Sequence, residues 1–316
     1  MSYHDYPGPN NYESYWSNVS KRKKVAPSCM KPLFMWAGGK TRMIKKYAEY
    51  LPDTFDHYVE PFVGAGAMFV WAYQKNPEAT FVLNDSNESI MRIYAAIKSD
   101  VDLFIDRLDY LSDRYLVLAK PERKEFYYAL RHEHAYDYEK WTETDEAATL
   151  YFLMKTGFNG IWQINQNTNG RFGTPCGLLN QKDKVFDRDN VMEWYRALQR
   201  CTLLSGDFGD VLTHVRRGSY VFLDPPYRGS FTQYGVDFDD EVQQRVVDFL
   251  NDSKELGAYV LMSNRDVGDG FFEDRTDSNH LVKFDITYTA GRRKKHDDGT
   301  YTAKKAVEIL MIGEPE

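Results

Sequence analysis

The sequence has little cysteine, no long apolar run and no excess of positive charge. Its three cysteines among 316 residues, Cys29, Cys176 and Cys201, stand far apart and form no CxxC pair. That spacing argues against a disulfide framework or a structural zinc site and fits a reducing compartment. No stretch approaches the ~20 apolar residues that cross a bilayer. The opening residues, MSYHDYPGPNNYESYWSN, lack the apolar core of a secretory signal. A cytoplasmic protein is expected. Lys and Arg number 40 against 47 Asp and Glu, a formal net charge of −7. The surface as a whole therefore does not coat nucleic acid, although a local basic cleft stays open. What is present is ordinary globular material, 42% hydrophobic with a raised 15% aromatic share. The length corresponds to about two domains.

Residues 1–30 read as a flexible arm rich in Asn, Ser, Pro, Gly and Tyr, with a basic run Lys21-Arg22-Lys23-Lys24. A helix over Thr41–Tyr50 follows, with Met43, Ile44 and Tyr47 at helical spacing and Pro52 as its stop. Strands at 57–60 and 80–83 and helices at 67–73 and 88–98 then alternate, the start of a parallel α/β sheet. Charged, aromatic helices at 101–111, 123–134 and 143–155 break that rhythm. Residues 157–177 are dense in Gly and Asn and read as loops or a hairpin. A helix at 190–199, strands at 201–204, 220–223 and 259–262, a helix at 239–255 and strands at 282–287 and 306–311 complete the chain. The parse is an α/β sheet domain of residues 31–98 and 186–316 with a helical, loop-rich insert at 99–185.

Asp224-Pro225-Pro226-Tyr227 follows the apolar strand 220–223, and side chains at the carboxyl end of a sheet strand face the ligand crevice of an α/β protein. Two prolines hold the chain extended and donate no backbone hydrogen bonds. The Asp224 carboxylate and the Pro225 carbonyl are then fixed acceptors, with the Tyr227 ring beside them. Such a set grips a flat ring bearing an exocyclic amino group. Accepting both amine protons draws electron density to a nitrogen that is otherwise a poor nucleophile, and no metal is required. The bland alternative is an Asp-capped turn.

Glu60-Pro61-Phe62-Val63-Gly64-Ala65-Gly66 lies at a strand–helix junction, where Gly64 and Gly66 allow close backbone approach to a ligand. Asp85 ends the next strand, placed to accept ribose hydroxyls. The full GxGxxG pattern is absent, which favours a nucleoside over a pyrophosphate. Trp36-Ala37-Gly38-Gly39-Lys40-Thr41 resembles the end of a P-loop, but Phe34 stands where its first glycine belongs. Trp36 stacking on a ligand and Lys40 pairing with a carboxylate are the alternative uses, and a plain core role for Trp36 stays open.

Taken in order, WAGGK, EPFVGAG, Asp85 and DPPY resemble the Dam-type DNA adenine methyltransferases, with the motif order of their alpha class. Phe158-Asn159-Gly160 and Ser263-Asn264-Arg265-Asp266 extend the likeness over roughly residues 31–312. The resemblance implies a Rossmann-like S-adenosylmethionine-dependent sheet with an inserted target-recognition domain. It implies methyl transfer to the N6 of an adenine flipped out of double-stranded DNA, with no metal and no obligate protein partner, in a prokaryotic or phage setting. By the same resemblance Trp36, Lys40, Glu60, Phe62, Gly64, Gly66, Asp85 and Asp224 line the cofactor. Asp207 or Phe208 lies near its adenine, and Asp224 also meets the target amine.

The insert is expected to contact DNA, with Asn159, Gln163, Asn165 and Arg171 offered to base edges and Arg292, Arg293, Lys294 and Lys295 to phosphates. Two departures bear on the target. Dam enzymes usually carry an arginine where Gln163 stands, and the loop here has two extra residues and ends Gly170-Arg171-Phe172-Gly173 without the usual Asn. A GATC-like target is thus only the default. Three other readings compete: cytosine N4 methylation, against which the Asp of DPPY leans; a DNA-binding regulator that has lost transfer; and a nucleotide kinase, which Phe34 disfavours.

Overall fold

The computed structural model describes residues 30–36, 38–229, 238–276, 280–287, 294–295, 301–302 and 305–315. The strands are β1 (His57–Glu60), β2 (Thr80–Asp85), β3 (Cys201–Ser205), β4 (Ser219–Leu223), β5 (Tyr259–Asp266), β6 (His280–Thr287), β7 (Lys294–Lys295), β8 (Tyr301–Thr302) and β9 (Lys305–Gly313). Seven of them form one sheet in the order β3-β2-β1-β4-β5-β9-β6. β1 to β5 run parallel, and β9 is antiparallel to both β5 and β6. The short β7 and β8 pair separately. Pairing with β9 carries β5 on to Asp266, beyond the expected Met262, because a strand lasts as long as its partner does.

The inner strands are buried on both faces and accordingly read as continuous apolar runs. Their side chains alternate between two cores. Tyr58, Phe81, Tyr220 and Leu261 pack on one face, and Val59, Val82, Val221 and Val260 on the other. The helices are α1 (Ile44–Tyr47), α2 (Ala67–Lys75), α3 (Glu88–Ser99), α4 (Val101–Leu116), α5 (Lys120–Tyr136), α6 (Glu143–Thr156), α7 (Arg188–Leu198) and α8 (Asp240–Glu255). Val246, Val247, Phe249 and Leu250 of α8 cover the valine face. Helices α2, α3 and α7 cover the aromatic face, with Phe69, Ile93 and Trp194 in its core.

Side-chain caps set several helix starts. Asn87 accepts the Ser89 N–H, Asp100 that of Leu103, Thr142 that of Asp145 and Asp239 that of Val242. The expected single helix at Thr41–Tyr50 is instead a 3-10 turn, Lys40–Arg42, followed by the short α1. The aromatic-face core continues without a break into the insert through Phe104, Tyr127 and Phe152. The largely apolar buried face of α6 seats it between the sheet-covering α3 and the insert helices α4 and α5.

Candidate active site

Strand order reverses between β1 and β4, and the crevice beyond their carboxyl ends is where a parallel sheet receives ligands. Asp224 leaves β4 there. The loop it opens is anchored from below by two buried amides. Gln243 of α8 donates to the Pro226 carbonyl at 2.7 Å and accepts from Asn264 at 3.0 Å. The Asn264 carbonyl oxygen in turn accepts the backbone N–H groups of Arg228 and Arg265. Arg228 fixes the exit of the loop by forking onto both Asp240 and Asp269 while lying over the Phe271 ring.

Lys40 is 4% exposed and donates to Asp224 Oδ1 at 2.7 Å and to the Gly38 carbonyl at 3.0 Å. Its ammonium lies 4.8 Å from the Tyr227 ring centroid. The Ser263 hydroxyl donates to the same Oδ1 at 2.8 Å. Both described partners of Asp224 therefore take one oxygen. Glu308 of β9, also buried, accepts from the Tyr47 hydroxyl. Burial raises its carboxyl, and the Lys40 charge pulls it back down. Burial and the Asp224 charge together push the Tyr227 phenol far up, so it stays neutral.

Across the crevice, Glu60 accepts from the Tyr58 hydroxyl at 2.8 Å. Burial holds its carboxyl well above the usual range against that bond, and the charges of Asp224 and Asp85 add to the shift. Asp85 accepts the N–H groups of Gly64 and Asn87, each at 2.9 Å, which couples the β1–α2 turn to the end of β2. Burial still pushes it up to about 6. Gly64 has φ +49°, and a Cβ there would sit 3.0 Å from the Trp36 ring. At Gly66, with φ +72°, a Cβ would strike Trp194 at 2.4 Å. Phe62 and Phe208 meet at 5.1 Å to form an apolar wall, and Arg245 covers Phe208 while pairing with Asp207 at 2.6 Å. The acidic side chains Glu60, Asp85 and Asp224, with the buried Lys40 paired to Asp224, suit a positively charged ligand. The chemistry of a sulfonium nucleoside fits these residues.

The sequence-chosen loop residues lie on the neighbouring edge. Bridges Gly157–Cys176 and Ile164–Phe172 make residues 157–177 a hairpin. Asn159 is exposed with φ 52°, and Gln163 is half-buried with its carbonyl accepting the Gly173 N–H. Asn165 caps the turn within the hairpin by accepting the Asn167 N–H. Arg171 is paired with Glu146 of α6 and lies 3.6 Å from the Tyr138 ring centroid. Glu146 also bonds His134 at 3.0 Å. Lys294 and Lys295 fall on β7, where only the backbone is described. Arg292, Arg293 and the run 21–24 lie outside the described residues. Tyr47, Gln243 and Glu308 were missed from the sequence. Glu308 had a signal, an acid set amid the apolar run Ala306–Met311.

A sheet whose first five strands run parallel, with Asp85 and Asp224 at their carboxyl ends, has the Rossmann-like arrangement of the S-adenosylmethionine-dependent methyltransferases. Residues 36–294 match the model of the D12 class N6 adenine-specific DNA methyltransferases, and the chain belongs to that family. The Type II methyltransferase M.MjaIII of Methanocaldococcus jannaschii is 35% identical over 246 residues, covering 74% of this chain and 84% of that protein. The DNA N-6-adenine-methyltransferase of Escherichia phage P1 is 32% identical over 254 residues, 78% of this chain but 31% of that protein. The retron Ec67 DNA adenine methylase of Escherichia coli is 27% identical over 286 residues, 90% of this chain and 91% of that protein. This chain is a DNA adenine methyltransferase that uses S-adenosylmethionine.

Proposed function

We propose that Asp224 Oδ2 and the Pro225 carbonyl receive the two protons of the target adenine amine, while Lys40 and Ser263 hold the other Asp224 oxygen. The observation that carries this reading is the convergence of Lys40 and Ser263 on Oδ1. A carboxylate fixed through one oxygen presents the other in one direction. S-adenosylmethionine supplies a methyl group on positively charged sulfur. Asp85, Trp36, Phe62, Gly64 and Gly66 hold its nucleoside and methionine parts, with Asp207 and Phe208 toward the adenine and Glu60 beneath. Tyr227 steadies the base ring, with Lys40 against one of its faces. The nitrogen sheds a proton as it gains carbon, and Asp224 is its nearest acceptor.

The target must leave the duplex to reach this crevice, at a cost of a few kcal/mol. Residues 99–185 act as the recognition unit on the catalytic residues 31–98 and 186–316, with Asn159, Gln163, Asn165 and the 292–295 run facing duplex DNA. A GATC-like site is the default target. The Type II name of M.MjaIII suggests work beside a restriction enzyme, and a prokaryotic or phage cytoplasm is the setting. Asp224→Ala is expected to abolish transfer while calorimetry still detects S-adenosylmethionine binding. Retained transfer would remove Asp224 from its role. Nucleoside analysis of the product DNA separates N6-adenine from N4-cytosine, and single-molecule sequencing of DNA from expressing cells reports the site.

A further inference from the structure

We infer that Tyr94 and Trp194, a stacked pair buried beneath the glycine turn, are positioning residues for the cofactor. They act through Gly64 and Gly66. The inference rests on the assignment of that turn to S-adenosylmethionine.

Tyr94 stands on α3 and Trp194 on α7, and both are fully buried. Their rings lie 5.1 Å apart at 26°, close to parallel. Burial of apolar area alone explains an aromatic pair in a core. Two contacts go beyond it. The Tyr94 hydroxyl donates to the Gly64 carbonyl at 2.6 Å, across 30 residues of sequence. The Trp194 ring packs against Gly66 so closely that an added Cβ would meet it at 2.4 Å. Trp194 is itself fixed, since its indole N–H donates to the Lys31 carbonyl at 2.8 Å and its ring lies 5.2 Å from that of Phe69.

The Tyr94 hydroxyl completes a two-sided grip on one residue. Asp85 accepts the Gly64 N–H at 2.9 Å, while Tyr94 holds the carbonyl. Both holds come from one continuous segment, the end of β2 and α3, whose start Asn87 caps. Gly64 has φ +49° and Gly66 φ +72°, and glycine passes among backbone conformations at little cost. A turn built on two such residues rearranges readily unless its peptides are held. A peptide is planar, with its C=O and N–H pointing opposite ways. Binding the Gly64 carbonyl to Tyr94 therefore aims the Ala65 N–H away from the aromatic pair. The turn is set before the cofactor arrives, so binding does not bear the cost of ordering it.

The test is calorimetric titration of S-adenosylmethionine, with methyl transfer measured in parallel. Tyr94→Phe keeps the stacked ring and removes only the hydroxyl. It is expected to melt cooperatively and to bind roughly 5–10-fold more weakly, the effect of one unmet hydrogen bond. KM for S-adenosylmethionine should rise by a similar factor, and kcat should change less. A purely structural role predicts a lower melting temperature with wild-type affinity wherever the variant is folded, and that result overturns the inference. Should Tyr94→Phe not fold, Trp194→Phe decides: weaker binding supports the role, and wild-type binding overturns it. Asp85→Asn in the same titration separates the two failures. If Asp85→Asn and Tyr94→Phe both bind as the wild type does, the assignment of the glycine turn falls. If only Asp85→Asn binds weakly, that assignment stands and the role of Tyr94 falls.

Discussion

Asp85 shows how a single carboxyl can serve both the fold and the ligand. Its two oxygens tie the Gly64 turn to the end of β2, and burial lifts it to about 6. The folded pKa is above the unfolded one, so folding favours the protonated form. The stability linked to this group is present at low pH and is lost as pH rises from about 4 through about 6. Thermal melts across that window are expected to show a falling trend that Asp85→Asn flattens, because asparagine keeps an acceptor but does not titrate. Parallel pH trends in the two proteins would contradict the assignment. The same variant should bind S-adenosylmethionine more weakly at neutral pH, where the wild-type carboxyl is ionised.

At the scale of elements, the hairpin 157–177 is held to the helices by buried polar contacts more than by its own strands. Arg131 of α5 donates to the Gly173 and Thr174 carbonyls at 2.8 and 2.9 Å, and the Tyr127 hydroxyl reaches the Thr174 carbonyl at 2.9 Å. Arg171 meets Glu146, which also holds His134. Burial lowers the His134 pKa, and the Glu146 carboxyl stays ionised below its usual range because His134 and Arg171 outweigh its desolvation.

Arg171→Ala leaves that carboxylate with His134 and the more distant Arg92 guanidinium, 3.8 Å away. A loss on the order of 1–2 kcal/mol is expected in chemical denaturation, less than the cost of leaving a buried charge wholly unpaired. A change within experimental error would mean that the pair is dispensable for folding. Any loss of DNA affinity in Arg171→Ala would then combine loosening of the loop with loss of a base contact. Asn159→Ala, at an exposed position, probes the base contact alone.

The whole molecule carries a net charge of −7 and acts on a polyanion. Its basic residues at 21–24 and 292–295 are clustered in sequence, whereas the acidic excess is spread along the chain. Affinity that depends on a few phosphate contacts should fall as salt rises, with a slope that counts them. Binding titrations between about 50 and 200 mM salt are expected to show at least a tenfold loss. Affinity indifferent to salt would exclude the clusters as a phosphate clamp. The described residues contain no helix long and apolar enough to cross a membrane.

Local sequence determined much of this protein. Continuous apolar runs ending in Asp85 and Asp224 announced buried strands with their ligand-facing ends, because strand burial and the pleat are written residue by residue. The DPPY loop, the glycine turn and Lys40 were legible for the same reason: each is a short motif whose chemistry lies in adjacent residues. The tertiary structure alone decided the partners. It turned the last two long strands antiparallel, so that Glu308, 84 residues beyond Asp224 by numbering (308 − 224), came to accept the Tyr47 hydroxyl. It drew Gln243 and Asn264 under the prolines and matched Arg171 with Glu146. Such contacts arise from chain crossings that no local pattern encodes, and burial then makes them strong by removing the water that would otherwise compete.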